Sequence, residues 1–127
     1  MMLQQDLPRG RVTFVMTDIE GSTALMRRLG EAGAALVMRQ RAIITDAVSR
    51  YVGVVFGHEG DACFCAFADP LLAMLACVDI QRALLSESWP DGVTLRVRIG
   101  VHTGLAQPYG DNYIALAVHQ AARVAAA

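Results

Sequence analysis

Two aspartates in this sequence follow apolar stretches at points where the chain turns, and both could bind a divalent cation. Asp18 comes directly after the β-rich run 11–17, and Asp61 lies beside Gly60 at the tip of a hairpin-like stretch. Magnesium in proteins prefers one or two carboxylates together with phosphate oxygens and water. If the two side chains meet, the chemistry they suit is phosphoryl transfer. Taken singly, Asp18 is equally typical of a helix cap and Asp61 of a turn.

The residues Gly21, Ser22 and Thr23 are typical of the start of a helix. A helix start presents unpaired N–H groups and the positive end of the helix dipole, and both attract phosphate. We therefore expect these three residues to bind a nucleotide phosphate beside a metal ion held by Asp18.

The elements that must position these residues alternate between strand and helix patterns. The predicted elements are a strand over 11–17, a helix opening at 21–23, a long amphipathic helix over 31–52, a hairpin over 54–67, a helix over 70–85, a strand over 94–101 and an Ala-rich helix from about Ile114. This is the β-α-β-β-α-β order of a ferredoxin-like α+β fold, with an additional C-terminal helix. In that fold the first strand and the hairpin lie in one sheet, so Asp18 and Asp61 can converge.

The strand predicted over 94–101 has one apolar and one polar face. Its apolar residues are Leu95, Val97, Ile99 and Val101. Arg96 and Arg98 alternate with them, and we interpret both as the polar face of this strand.

Composition excludes several classes of function. The chain has 127 residues, enough for one domain, and a net charge of only −1, which argues against nucleic acid and anionic membranes as partners. All 11 basic residues are arginines, and no apolar run reaches the length of a membrane span. The three cysteines are an odd number without an export signal, so we expect reduced thiols and a cytoplasmic protein.

Four ordered motifs resemble those of class III adenylate and guanylate cyclases. The motifs span 14–23, 59–62, 98–104 and 117–124. The resemblance covers essentially the whole chain, with a tail over 1–10 and a cyclase-like catalytic domain over 11–127. It implies the class III cyclase fold, with ATP or GTP as the substrate and a cyclic nucleotide and pyrophosphate as the products.

The resemblance also implies the roles of individual residues. Asp18, the Ile19 carbonyl and Asp61 would bind two Mg²⁺ or Mn²⁺ ions that activate the ribose 3′-hydroxyl and clamp the triphosphate. The site would form between two subunits, in a homodimer or in a heterodimer with another cyclase domain. Arg123 of the opposite subunit would stabilise the transition state.

The sequence departs from the family pattern at several positions. His119 stands where the family has an asparagine that orients the ribose, and Gly57 stands where it has a purine-selecting lysine. Asn112 aligns with the aspartate that accompanies this lysine. The sequence ends at Ala127, before the further strands expected of the family, which predicts a C-terminally incomplete domain.

Three interpretations remain open on the sequence alone. The chain is a weak cyclase with relaxed choice between ATP and GTP, a catalytically silent cyclase-like module that dimerises or binds nucleotide to regulate a partner, or a fragment of a longer cyclase. Asp18 and Asp61 favour the first interpretation, and the departures at Gly57 and His119 favour the second.

Overall fold

The computed structural model describes residues 7–114 and 122–126, which form an α+β fold. The strands and helices are β1 (Gly10–Ile19), α1 (Ser22–Leu29), α2 (Glu31–Arg50), β2 (Val54–Glu59), β3 (Ala62–Phe67), α3 (Pro70–Ser86), β4 (Val97–Tyr109) and β5 (Asn112–Ile114). A short 3₁₀ turn over Pro90–Gly92 precedes β4. Residues 122–126 are helical.

The five strands form one sheet in the order β2-β3-β1-β4-β5. All the pairings are antiparallel, and β1 lies between β3 and β4. The first four strands therefore have the arrangement expected of a ferredoxin-like fold, and the predicted fold class is confirmed. As a result the last residues of β1 have β3 on one side and β4 on the other.

The helices cover one face of the sheet because each carries a stripe of apolar residues. Buried residues of α2 recur at helical spacing, at Leu36, Ile43, Ile44, Ala47 and Val48. They pack with α3 and with the buried thiols of Cys63 and Cys65, which share one face of β3 as their alternation predicts. This core fixes the helices against the strands that carry the site.

The predicted start of α3 is confirmed in detail. Asp69 is the N-cap, and its Oδ1 accepts a hydrogen bond of 2.8 Å from the amide of Leu71. Pro70 occupies the first turn, where its missing N–H costs no helical hydrogen bond.

The prediction for the segment after residue 101 is wrong in two respects. The last long strand begins at Val97 and continues to Tyr109 instead of ending near His102, and Asn112 to Ile114 form a strand where a loop and the start of a helix were expected. Pairing with β1 as far as Gly10↔Ala106 extends β4 through glycine and polar residues that locally favour a loop. The predicted C-terminal helix lies mostly in 115–121, outside the described residues.

The first strand is also longer than predicted. It runs to Ile19, so Asp18 lies within the strand and not after it. None of the helices described is both long and apolar enough to cross a membrane.

Candidate active site at the end of β1

Asp18 lies near the end of the central strand, opposite Arg98 on β4. The Arg98 guanidinium donates two hydrogen bonds to the carboxylate, from Nε to Oδ1 at 2.7 Å and from Nη2 to Oδ2 at 2.8 Å. The Asp18 side chain is 17% exposed and that of Arg98 is 46% exposed. The aspartate is thus held by the sheet, while its partner reaches in from solvent.

Asp61 meets β1 from the other side. It follows Gly60 in the β2–β3 turn, and its Oδ2 accepts a 2.6 Å hydrogen bond from the amide of Ile19. Arg41 on α2 donates a hydrogen bond to the carbonyl of Gly60 and so ties the turn to the helix layer. The structure therefore places Asp18 and Asp61 at the same end of β1. Asp18 is bound to Arg98 of β4 on one side of the strand, and Asp61 reaches the strand from the β2–β3 turn on the other.

The charges at this edge are predominantly acidic. The hydrogen bonds and the charge of Asp18 raise the pKa of the Arg98 guanidinium, and the nearby carboxylates of Glu20 and Asp61 raise it further. One guanidinium therefore lies within the electrostatic reach of three carboxylates.

Helix α1 begins directly beside these carboxylates. Gly21 adopts a left-handed conformation with φ 66°, and no side chain caps the helix start. The first intrahelical bond runs from the amide of Leu25 to the carbonyl of Gly21, so the preceding amides have no helical acceptor. Ser22, Thr23 and Asp61 line an open groove of about 490 Å³ here, together with Met26, Arg27, Val37 and Gly60.

The donor set at this edge fits a divalent ion such as Mg²⁺ or Mn²⁺. Asp18 already holds a cationic group through both oxygens, and Asp61 approaches the next residue of the same strand. In 7–114 and 122–126 no group of three or more His, Cys, Asp or Glu side chains could hold a metal ion. An ion bound by the two aspartates would complete its shell with phosphate oxygens and water, as magnesium commonly does.

The two positions aligned with the purine-selecting pair flank one aromatic cluster. Gly57 lies on β2 next to Phe56, and Asn112 opens β5 next to Tyr113. The Phe56 and Tyr113 rings meet edge to face with centroids 5.0 Å apart, and Phe14 lies 4.9 Å from Tyr113. The side-chain oxygen of Asn112 accepts a hydrogen bond from its neighbour's amide at 2.7 Å. The β4–β5 hairpin thus brings distant parts of the sequence together on the face opposite the helices.

The two residues predicted to assist catalysis lie in the C-terminal segment. Arg123 is exposed within the helical residues 122–126, away from any hydrogen bond or ion pair in the part of the chain described. His119 lies outside the described residues. The structure therefore brings Asp18, Ile19, Asp61 and the start of α1 together, and it leaves Arg123 available at the surface.

Sequence reasoning missed Arg98 as a member of the site. Its side chain is exposed on the polar face of β4, as predicted, and the β1–β4 register also sets it directly across from Asp18. A pair of opposite charges on neighbouring strands is a recognisable signal only when the register is known.

Comparisons with known proteins find similarity to adenylate and guanylate cyclases. No protein-family model matches the chain. The adenylate cyclase of Lachancea kluyveri is 32% identical over 142 residues, which cover 92% of this chain and 8% of that protein. An uncharacterised protein of Mycobacterium tuberculosis is 30% identical over 119 residues, covering 92% of this chain and 39% of that protein. The chain thus spans less than half of the length of these curated relatives.

Solved structures share the fold. An adenylate cyclase from Trypanosoma brucei in its monomeric state superposes with a TM-score of 0.83 at 24% identity, covering 91% of this chain and 68% of that one. The non-canonical dimeric guanylyl cyclase domain of the RhoGC fusion protein from Blastocladiella emersonii gives a TM-score of 0.81 at 21% identity, covering 93% of this chain and 74% of that one. The guanylate cyclase domain of RhGC from Catenaria anguillulae in complex with GTP gives 0.81 at 20% identity, covering 92% and 72%.

The ordered motifs, the sequence likeness across most of the chain and the shared fold show that this chain belongs to the class III adenylate and guanylate cyclase domain family.

Proposed function

We propose that this domain converts ATP or GTP to the 3′,5′-cyclic nucleotide and pyrophosphate in a reaction that depends on Mg²⁺ or Mn²⁺. The observation that carries the proposal is the placement of Asp18 and Asp61 at the same end of β1, with the open start of α1 beside Asp61. We propose that the reaction takes place in the cytoplasm and that its cyclic nucleotide product acts in intracellular signalling.

The chain's own groups have distinct tasks in this reaction. Asp18 and Asp61 would hold two divalent ions, with the Ile19 carbonyl as a further oxygen ligand, and the amides of Ser22 and Thr23 would donate hydrogen bonds to phosphate oxygens. When bound, these ions would neutralise phosphate charge and favour ionisation of the ribose 3′-hydroxyl. The 3′-hydroxyl loses its proton to solvent water, its oxygen forms a bond to the α-phosphorus, the bond from that phosphorus to the bridging oxygen breaks, and pyrophosphate leaves.

A direct test measures cyclic AMP and cyclic GMP formation by the purified protein with each triphosphate and with Mn²⁺ or Mg²⁺. Asp18→Asn should abolish product formation while leaving the circular dichroism spectrum and thermal unfolding nearly unchanged. Asp46→Asn is the matched control, because Asp46 is an exposed helix residue paired only with Arg50 at 2.6 Å. Turnover that survives in Asp18→Asn would refute the proposal.

We further propose that the active form is a dimer in which Arg123 stabilises the transition state at the metal site formed by Asp18 and Asp61 of the opposite subunit. The exposure of Arg123 supports this proposal, and the structural neighbours include a non-canonical dimeric guanylyl cyclase domain and a guanylate cyclase domain in complex with GTP. The same arrangement permits a heterodimer with another cyclase domain.

A complementation experiment tests the shared site. Asp18→Asn and Arg123→Gln should each be inactive alone. After mixing with subunit exchange, a heterodimer has one intact site, so activity should return to about a quarter of the wild-type value per subunit in a two-fold symmetric dimer. Activity that does not return on mixing, although sedimentation shows exchange, would contradict a shared site.

We propose relaxed choice between ATP and GTP, because Gly57 and Asn112 offer no charged group to read the purine edge. Aromatic rings such as Phe56 and Tyr113 contact either purine through its face without distinguishing its substituents. Comparable kcat/KM for the two triphosphates would support this, and a ratio above about 100 would show that another group selects the base.

A second candidate function is a silent cyclase-like module that dimerises or binds nucleotide to regulate a partner. It is favoured by the absence of a side chain at Gly57 and by the engagement of both Asp18 oxygens with Arg98. A folded, dimeric protein that binds nucleotide without any turnover would support this candidate over the cyclase.

A further inference from the structure

The Arg98 guanidinium occupies the place at the end of β1 where a cation would bind. It donates to both oxygens of Asp18, and its pKa is raised first by that contact and then by the charges of Glu20 and Asp61. Three carboxylates at one strand end repel one another, and this arginine supplies the positive charge that offsets the repulsion.

We propose that Arg98 competes with the divalent cation for Asp18, so that metal binds only as Arg98 releases the carboxylate. The inference rests on the proposed metal-dependent function, and it assigns a positioning residue that sets metal affinity. Nothing in the family resemblance stated above gives Arg98 this task.

Coordination geometry sets the guanidinium and the metal ion in competition for Asp18. A bidentate guanidinium lies in the plane of the carboxylate and engages one lone pair of each oxygen. A divalent ion that binds at the same oxygens from the open side would stand within a few ångströms of the positive guanidinium. Since two cations at that separation repel, the ion and the arginine cannot share Asp18 at full strength.

The arginine is the partner free to move. Asp18 is fixed in the central strand with 17% of its side chain exposed, whereas the Arg98 side chain is 46% exposed and attached by a flexible stem. Ion pairs of this exposure are weak, and salt screens them. Displacement of Arg98 therefore lowers the metal affinity only modestly, and it requires no rearrangement of the sheet.

The experiment measures Mn²⁺ affinity without nucleotide, by isothermal titration calorimetry or Mn²⁺ electron paramagnetic resonance at 0.15 M salt. Arg98→Gln should bind Mn²⁺ about three- to tenfold more tightly than the wild type, because the competitor is gone while the glutamine amide forms only a neutral hydrogen bond. Thermal unfolding should show a correspondingly larger stabilisation of Arg98→Gln by Mn²⁺.

Arg96→Gln is the matched control. Arg96 is exposed, lies two residues before Arg98 and directly before β4, and carries the same charge without a hydrogen bond or ion pair to Asp18. Its removal should change Mn²⁺ affinity less than about twofold, because exposed charges at this distance are screened. Equal gains in both variants would mean that net charge and not competition sets the affinity, and this would overturn the inference.

Arg98→Lys keeps the inference testable if Arg98→Gln folds poorly. An ammonium group keeps the charge but lacks the planar fork that engages both carboxylate oxygens, so its Mn²⁺ affinity should fall between those of the wild type and the glutamine variant. Unchanged or weaker binding in both Arg98 variants would overturn the inference.

The outcome also separates this inference from the proposed function. Asp18→Asn should not bind Mn²⁺ at this site in any background. Wild-type binding that is lost in Asp18→Asn, but not improved in Arg98→Gln, would refute competition and leave the metal-dependent reaction standing. No Mn²⁺ binding by any variant would remove the metal site itself, and the inference with it.

Discussion

Replacement of Asp61 separates its contribution to folding from its proposed contribution to metal binding. The 2.6 Å hydrogen bond from the Ile19 amide to Oδ2 joins the β2–β3 turn to the end of β1. Asp61→Ala removes this acceptor, and a partly buried hydrogen bond to a charged group contributes about 1–2 kcal/mol. Asp61→Asn retains an oxygen that can accept from the same amide, so its cost should stay below about 1 kcal/mol.

Thermal unfolding by circular dichroism gives the first measurement. For a domain of this size, 1 kcal/mol corresponds to a shift of roughly 3–5 °C in Tm, so Asp61→Ala should unfold about 3–10 °C lower and Asp61→Asn within a few degrees of the wild type. Both variants should lose Mn²⁺ binding and turnover, since neither retains the second carboxylate.

Two results with Asp61→Ala and Asp61→Asn would refute the roles assigned to Asp61. Equal Tm losses in the two variants would show that the hydrogen bond to Ile19 is not what Asp61 contributes to folding. Full Mn²⁺ affinity in Asp61→Asn would show that Asp61 is not a metal ligand. Asp46→Asn again provides the control for removing one carboxylate from the surface.

Three further predictions concern the rest of the fold. Val52 has φ 62° and is 76% exposed, so Val52→Asn should raise the free energy of unfolding by about 1 kcal/mol, seen as a higher Tm; no gain would show that the turn is unstrained. The three cysteine thiols are buried, and burial raises the pKa of Cys77 to about 11. A thiol reagent at pH 8 should therefore label them only after unfolding, and rapid labelling of the native protein would contradict their burial. Burial raises the pKa of Tyr113 to about 12, so the native state should lose stability as pH rises from 10 towards 12. Tyr113→Phe should remove this part of the pH dependence of the free energy of unfolding. The same loss of stability between pH 10 and 12 in Tyr113→Phe as in the wild type would refute this prediction.

The helices and the central hairpin could be predicted because their signals are local. Asp69 and Pro70 announce the start of α3 within two residues, and the spacing of Leu36, Ile43 and Ile44 identifies the buried face of α2. Such features depend on capping and periodicity, which can be read from residues close together in the sequence.

The features that sequence reasoning missed depend on strand register. Nothing local in the polar alternation of Arg98 indicates that Asp18 lies across from it, and nothing local in 102–109 outweighs Gly104 and Pro108 as loop formers. Pairing with β1 along ten positions places Arg98 across from Asp18 and carries β4 as far as Ala106, and pairing with β5 carries it on to Tyr109. Register is a tertiary property, so local propensity gives way to it.

The Asp18–Arg98 pair links the stability of the metal-free fold to the chemistry of the site. A carboxylate near the end of a largely buried central strand contributes little to the sheet, and the charges of Glu20 and Asp61 oppose it. Arg98 offsets this opposition with the same two hydrogen bonds that would have to break for a metal ion to bind. Asp18 departs from the preference of strands for apolar and β-branched residues at a position that the proposed function requires, and Arg98, directly across on β4, compensates for it. Stabilising the empty domain and loading it with metal are therefore opposed at one residue pair, so a substitution that strengthens the pair would protect the fold at the expense of the cation site.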